Sequence, residues 1–237
     1  MRLPDRLLVL KNADKAFHEQ WHSRRNRLDI PHPFRGVLLG PPNVGKSTCA
    51  KNILMRANPP FEACTVVHCD PENTKEYDDL GEEGVTITGS IPPPEDWTSD
   101  IKTLVIIDDL ELKTLKPEQK HNLDRLFGYV STHKNISVLL CSQDPFNVPP
   151  IVRRCSNLFV LWKGPDLDAM SCVARKSGMS AQELRRIFET FESDKDSVWI
   201  DRSSSTPFPL RKNGFTVLRK RKNDDQTSLQ SRSKKKK

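Results

Sequence analysis

Long apolar runs are missing from this 237-residue sequence. The longest, such as Ile136 to Cys141, fall far short of the ~20 residues that a membrane-spanning helix needs, so no membrane span is expected. No secretory leader is expected either: only Leu7 to Leu10 follows Arg2 and Arg6, which is too brief for an apolar leader core, and the chain is expected not to be secreted. Paired cysteine spacing is absent. Cys49, Cys64, Cys69, Cys141, Cys155 and Cys172 include no C-x-x-C, and several sit in apolar stretches where cysteine behaves as a small hydrophobe. That argues for a reducing compartment and against a zinc site. Glycine is scarce, at 10 residues, and no internal repeat is visible.

What is present fits one sizeable domain, since two would be cramped in this length. A hydrophobic share of 35% beside 29% charged residues describes a compact core with long polar segments. The net charge of +7 is unevenly spread: residues 1–36 carry +4, residues 37–210 carry -6 and residues 211–237 carry +9. The two ends are basic and suit a polyanionic partner, whereas the middle is acidic.

Short aliphatic runs at Gly36–Leu39, Cys64–Cys69, Leu104–Ile107, Ile136–Cys141 and Leu158–Trp162, with weaker ones at Val85–Thr88 and Val198–Ile200, read as strands buried on both faces. Helical spacing appears at Lys46–Ala57, Pro117–Thr132, Leu167–Lys176 and Ala181–Phe191. Pro117 suits a first helical turn, and Ser180 with Glu183 three residues on forms a candidate capping box. This alternation predicts an α/β fold, a mostly parallel sheet flanked by helices on both faces. The stretch Gly89–Ser99, with three prolines from Pro92 to Pro94, is expected to be a surface loop. Ser203 to Pro207 reads as a linker into a flexible basic tail, 203–237, because blocks such as Arg219–Lys222 and Lys234–Lys237 rarely fold. Residues 1–32 form a basic N-terminal extension, leaving 33–202 as the folded domain.

The strongest signal is Gly40, Pro41, Pro42, Asn43, Val44, Gly45, Lys46 and Ser47, followed by Thr48. It is a full G-x-x-x-x-G-K-[ST] phosphate loop, lying between an expected strand and an expected helix. Glycines let backbone N–H groups curl around phosphate oxygens, and the helix presents its positive end to them. Lys46 is expected to reach the β- and γ-phosphates of ATP, with the Ser47 hydroxyl on Mg²⁺.

About sixty residues on, the strand Leu104–Ile107 runs into Asp108 and Asp109, where a phosphate-loop ATPase carries its metal-holding acid. Asp108 is the candidate for holding Mg²⁺, directly or through water, and Asp109 for orienting and deprotonating the attacking water, with Glu111 a weaker candidate. The next buried strand ends in Ser142 and Gln143, and a strand-tip amide can bind that water or sense the γ-phosphate. Arg153 and Arg154 follow Pro149 and Pro150; one reading sends a guanidinium to ATP on a neighbouring subunit, the other leaves a surface pair. Asp70 or Glu72, just past the second strand, is expected near the rim. The order of loop, intervening strand, acidic strand and polar-tipped strand fits the ASCE-type P-loop NTPases, in which an extra strand separates the loop strand from the acidic one.

On these residues, together with Pro33 to Gly40 before the loop and Pro150 to Asn157 before the strand Leu158–Lys163, the chain resembles the FtsK/HerA-type viral genome-packaging ATPases. That group includes the packaging ATPases of poxviruses and of polinton-like elements. The resemblance spans about residues 33 to 190. Two features depart from it: the loop interior Pro-Pro-Asn-Val, and Asp109 where glutamate is common. The resemblance implies an ATP-driven ring, a pentamer or hexamer of one chain, that moves double-stranded DNA into viral capsids, associated with the virion or working in the host nucleus.

A signalling GTPase is disfavoured, because no Asp-x-x-Gly follows the acidic strand and no Asn-Lys-x-Asp occurs. A hexameric viral replication helicase is the nearest rival, and a non-catalytic ATP-binding scaffold is the other. The tail reads either as a salt-sensitive nucleic-acid contact or as a nuclear import signal.

Overall fold

Runs of β-branched and aliphatic residues with no polar alternation become the centre of one sheet. The computed structural model describes residues 28, 30–80, 84–164, 166–176, 179–203 and 206–219. Among them nine strands order as β3-β2-β4-β5-β1-β6-β7-β8-β9. The first six in sequence, β1 (Arg35–Leu39), β2 (Ala63–His68), β3 (Val85–Thr88), β4 (Thr103–Asp108), β5 (Ile136–Ser142) and β6 (Leu158–Trp162), are mutually parallel. Every residue of β4, β5 and β6 is buried, as expected of parallel strands covered on both faces. β7 (Ser197–Asp201), β8 (Leu210–Lys212) and β9 (Thr216–Arg219) then extend the sheet antiparallel.

Alternate residues of each strand serve opposite faces. Val37, Leu39, Val105, Ile107, Val138, Leu140, Phe159 and Leu161 point to one core. It is completed by α2 (Pro117–Arg125, carried on through a π-helical turn, Leu126–Val130), α3 (Pro150–Cys155), α4 (Leu167–Lys176) and α5 (Ala181–Glu189). Leu38, Leu104, Ile106, Leu139, Leu158 and Val160 face the other core, where α1 (Lys46–Met55) contributes Ala50 and Ile53. Each fully buried Leu, Ile or Phe contributes roughly 1.5–3 kcal/mol of transfer free energy. The helix starts follow their local chemistry. Pro117 occupies the first turn of α2, and the Ser180 hydroxyl accepts the Glu183 N–H at 3.1 Å to cap α5.

β5 lies between β1 and β4, pairing Leu38 with Cys141 and Ile106 with Leu139. The loop strand, the polar-tipped strand and the acidic strand therefore end side by side. This is the ASCE-type arrangement expected from the order of motifs.

Three expectations need correction. The boundary at 202/203 falls inside the sheet, because β8 and β9 continue to Arg219 and both Thr206 and Arg211 are buried. The Ser/Thr/Pro stretch resembles a linker in composition, but it is a short connection into a three-residue strand too brief to show a pattern. At the other end Leu28 and Ile30, each 2% exposed, belong to the α1-side core, so the N-terminal extension stops short of 32. Gly89–Ser99 is no simple surface excursion: Ile91 and Trp97 are buried, and Gln119 bonds both the N–H and the carbonyl of Ile91, at 2.6 and 3.3 Å. The basic clusters within 1–27 and 220–237 lie outside the described residues. Among the described residues no helix is long and apolar enough to cross a membrane.

Candidate nucleotide-binding site

The chain leaves β1 at Leu39 and turns through residues 40–45 into α1. Glycine is required twice. A Cβ on Gly40 would stand 2.8 Å from Cβ of Trp162 on β6, and Gly45 takes φ 102° as it caps α1. The N-terminus of α1 therefore faces the loop with its first-turn amides and the positive end of its dipole, which suits an anion. The Lys46 ammonium donates to the carbonyls of Gly40 (3.0 Å) and Pro41 (2.8 Å). Burial lowers its pKa, opposed by Cys141, Asp108 and Asp109.

Asp108 ends β4, and its carboxylate is held by three donors. Ser47 Oγ donates to Oδ2 at 2.8 Å, the Tyr77 hydroxyl donates to the same oxygen at 2.6 Å, and the Asp109 N–H donates to Oδ1 at 3.1 Å. Asp109 is exposed, in the left-handed region at φ 48°. Gln143, just past β5, donates from Nε2 to Asp109 Oδ1 at 3.3 Å. Gly45, Lys46, Ser47, Thr48, Asp108, Asp109 and Gln143 all line one cleft of about 420 Å³ with Pro42 and Asn43. Gly40 and Pro41 line a neighbouring cavity of about 330 Å³ that also reaches Gln143, and Val44 turns into the α1-side core.

These residues fit Mg²⁺. Magnesium prefers oxygen ligands, bridging one or two protein groups to phosphates and waters. The Ser47 hydroxyl and the Asp108 carboxylate, hydrogen-bonded at 2.8 Å, are two such oxygen groups side by side, and they would hold the ion. Among the described residues no cluster of three or more His, Cys, Asp or Glu could hold a metal, so a cation here would take its remaining oxygens from nucleotide and water.

Other expected residues lie elsewhere. Arg153 and Arg154 sit on α3, and Arg154 lines a separate cavity with Lys113 and Lys120. Neither arginine lines the cleft of its own chain. Asp70 and Glu72 are exposed and outside the cleft, where Glu76 stands instead. Glu111 is exposed and accepts the Lys113 N–H at 3.3 Å. Sequence reasoning missed Tyr77, Glu76, Lys51 and Lys195. Lys195 bonds the Asn43 carbonyl, and the Trp162 indole donates to the Lys195 carbonyl at 3.1 Å. One signal could have found Tyr77: it is one of only two tyrosines, in an otherwise polar segment.

The strand order and the loop define the P-loop NTPase fold. Solved structures share it. The genome packaging NTPase B204 of Sulfolobus turreted icosahedral virus 2, in complex with AMPPCP, is 15% identical over 77% of this chain and 98% of that one, with a TM-score of 0.54. B204 of Sulfolobus turreted icosahedral virus, described as a DNA-packaging ATPase, is 14% identical over 76% and 97%, also with a TM-score of 0.54. The pCW3 conjugation coupling protein TcpA, in monomer form with ATPγS, is 12% identical over 84% of this chain and 65% of that one, with a TM-score of 0.56. At such identities the likeness is one of fold. No protein-family model matches the sequence, and no curated protein matches it.

Proposed function

We propose that the protein is a Mg²⁺-dependent ATPase that drives double-stranded DNA into viral capsids, working as a ring of identical subunits. The observation that carries the hydrolytic part is the contact of Ser47 with Asp108 at 2.8 Å, flanked by Lys46 and by the Asp109–Gln143 pair in the same cleft. The loop amides and Lys46 bind the phosphates, Lys46 leaving its carbonyl partners for the β- and γ-oxygens. Ser47 and Asp108 would hold Mg²⁺, which would supply charge neutralisation at the phosphates. Asp109 accepts a proton from the attacking water, and Gln143 orients that water through its amide. Arg153 or Arg154 serves the site of a neighbouring subunit, since neither lines its own. Support for DNA as cargo comes from the basic ends of the chain, +4 over 1–36 and +9 over 211–237, and from the packaging role named for B204.

The test is ATP hydrolysis by the full chain with and without duplex DNA. Hydrolysis stimulated by DNA and abolished by Lys46→Ala and by Asp108→Ala is expected; ATP binding without turnover, on any nucleic acid or capsid partner, sinks the motor. Strand displacement on a forked duplex separates packaging from its rival, because a helicase unwinds the fork and a packaging motor does not.

A further inference from the structure

A second cleft, about 490 Å³, opens beside the phosphate cleft, and the two share Gly45, Thr48 and Lys195. Its walls come from α1 through Asn52 and Arg56, from the strands β6 and β7 through Trp162 and Trp199, and from the β8–β9 turn through Phe215. Phe215 is 57% exposed, and the Arg56 guanidinium lies over its ring, 5.5 Å from the centroid. An apolar cleft with a flat exposed ring, continuous with a phosphate site, suits a heterocycle joined through ribose to a triphosphate.

Both indoles of this cleft, and the side chains of Asn52, Ser197 and Asn213, already have hydrogen-bond partners. The Trp162 indole donates to the Lys195 carbonyl at 3.1 Å, and the Trp199 indole to Ser197 Oγ at 3.0 Å. Ser197 Oγ donates to Asn213 Oδ1 at 3.2 Å, and Asn213 Nδ2 to Asp196 Oδ1 at 2.7 Å. Asn52 donates to the Thr48 carbonyl at 2.9 Å and accepts from Arg56 Nε at 3.1 Å. A site that reads a base edge holds polar groups ready for it and can discriminate by about 10⁴–10⁵-fold. Stacking tolerates any base, because every base has a π-face.

We propose that this cleft takes the nucleobase and ribose of the bound nucleotide, and that it holds the base by stacking without reading its edge. The substrate class is then nucleoside triphosphates at large. This rests on the reading of the loop as a triphosphate site. It also gives the C-terminal hairpin β8–β9 a role in the site, as the wall against which the base lies.

Calorimetric titration of the full chain with Mg²⁺ and ATP, GTP, CTP, UTP or inorganic tripolyphosphate tests it. The four nucleotides are expected to bind within about tenfold of one another, as sequence-tolerant stacking predicts. Phe215→Ala should weaken all four by about tenfold or more and leave tripolyphosphate unchanged, while Phe215→Trp keeps nucleotide affinity. Retained tripolyphosphate binding also certifies that the variant is folded. A preference for one base beyond about tenfold overturns the unread edge. Unchanged nucleotide affinity in Phe215→Ala overturns the position of the base. Failure of wild-type protein to bind either ATP or tripolyphosphate removes the triphosphate site itself, and this proposal with it.

Discussion

Tyr77 donates its hydroxyl hydrogen to Oδ2 of Asp108 at 2.6 Å, the same oxygen that Ser47 holds from the loop side. Tyr77 is 2% exposed and comes from the 3₁₀ segment Lys75–Leu80 after β2. Burial first, then Cys141 and Asp108, raise its pKa, so it remains a donor throughout the working pH range. A tyrosine therefore fixes the carboxylate proposed to hold the metal, from an element that carries no part of the phosphate loop.

Tyr77→Phe keeps the ring in its packing and removes only this hydrogen bond. Partners that orient a metal ligand typically contribute 10–100-fold in metal affinity, so the Mg²⁺ concentration for half-maximal nucleotide binding should rise about tenfold. Nucleotide affinity in the presence of a chelator should not change. An unaltered Mg²⁺ requirement would show that Ser47 and the backbone suffice to hold Asp108.

Asp109 is exposed, left-handed at φ 48° and bonded to Gln143 at 3.3 Å. Asparagine tolerates the same backbone region, so Asp109→Asn removes the base and keeps the turn. Turnover should fall by about 10²–10⁴-fold, the usual worth of a positioned general base, with ATP affinity kept. Gln143→Ala should lower turnover less, because it orients without accepting the proton. Equal turnover in wild type and Asp109→Asn would move the base elsewhere.

The central strands and the loop were legible because parallel strands buried on both faces are continuously apolar, and because a phosphate loop needs its glycines and lysine at fixed spacing. Leu158–Trp162 and Val85–Thr88 match the expected runs residue for residue. β8 and β9 were hidden for the opposite reason. Three or four residues cannot show a period, and Arg211 reads as tail charge although its guanidinium is buried and donates to the Gly214 carbonyl at 3.1 Å. Tyr77 and Lys195 reach the site through tertiary folding from segments that carry no motif, so spacing could not reveal them.

Those hidden strands lead to a truncation experiment. Ending the chain after Arg202 removes β8 and β9, unpairs the outer edge of β7 and deletes Gly214, whose backbone closes against Trp199 and Leu28. The shortened protein should lose cooperative thermal unfolding. Ending it after Arg219 keeps every described strand, and the midpoint should stay within a few degrees. That shorter tail should also flatten the salt dependence of duplex binding, since each lost cation contact releases fewer counterions. An intact melting transition for the chain ending at 202 would mean that the hairpin is an appendage and not part of the sheet's stability.

Lys102 gives a pH dependence of defined sign. It is 3% exposed, bonds the Pro59 carbonyl and lies 4.6 Å over the Phe61 ring. Burial lowers its pKa from the ordinary 10.5 to about 8, with Glu62 opposing. Between those values the unfolded chain holds a proton that the native form has released, so this group makes stability rise with pH across the window and forfeits that contribution as pH falls through about 8. Cys49 and Cys64 act the other way. Burial raises both from 9.0 to about 12, so the native form holds protons that the unfolded chain has lost, and stability falls as pH rises through that range. The two trends oppose in wild type, and the raw pH profile is therefore a poor test. The difference between wild type and Lys102→Met is a clean one, because the cysteines are common to both and cancel. Denaturant unfolding at steps from pH 7.5 to 10.5 should show wild type gaining on Lys102→Met as pH rises, most steeply above about 8. A difference that stays flat across the window would mean that Lys102 titrates alike in the folded and unfolded chains.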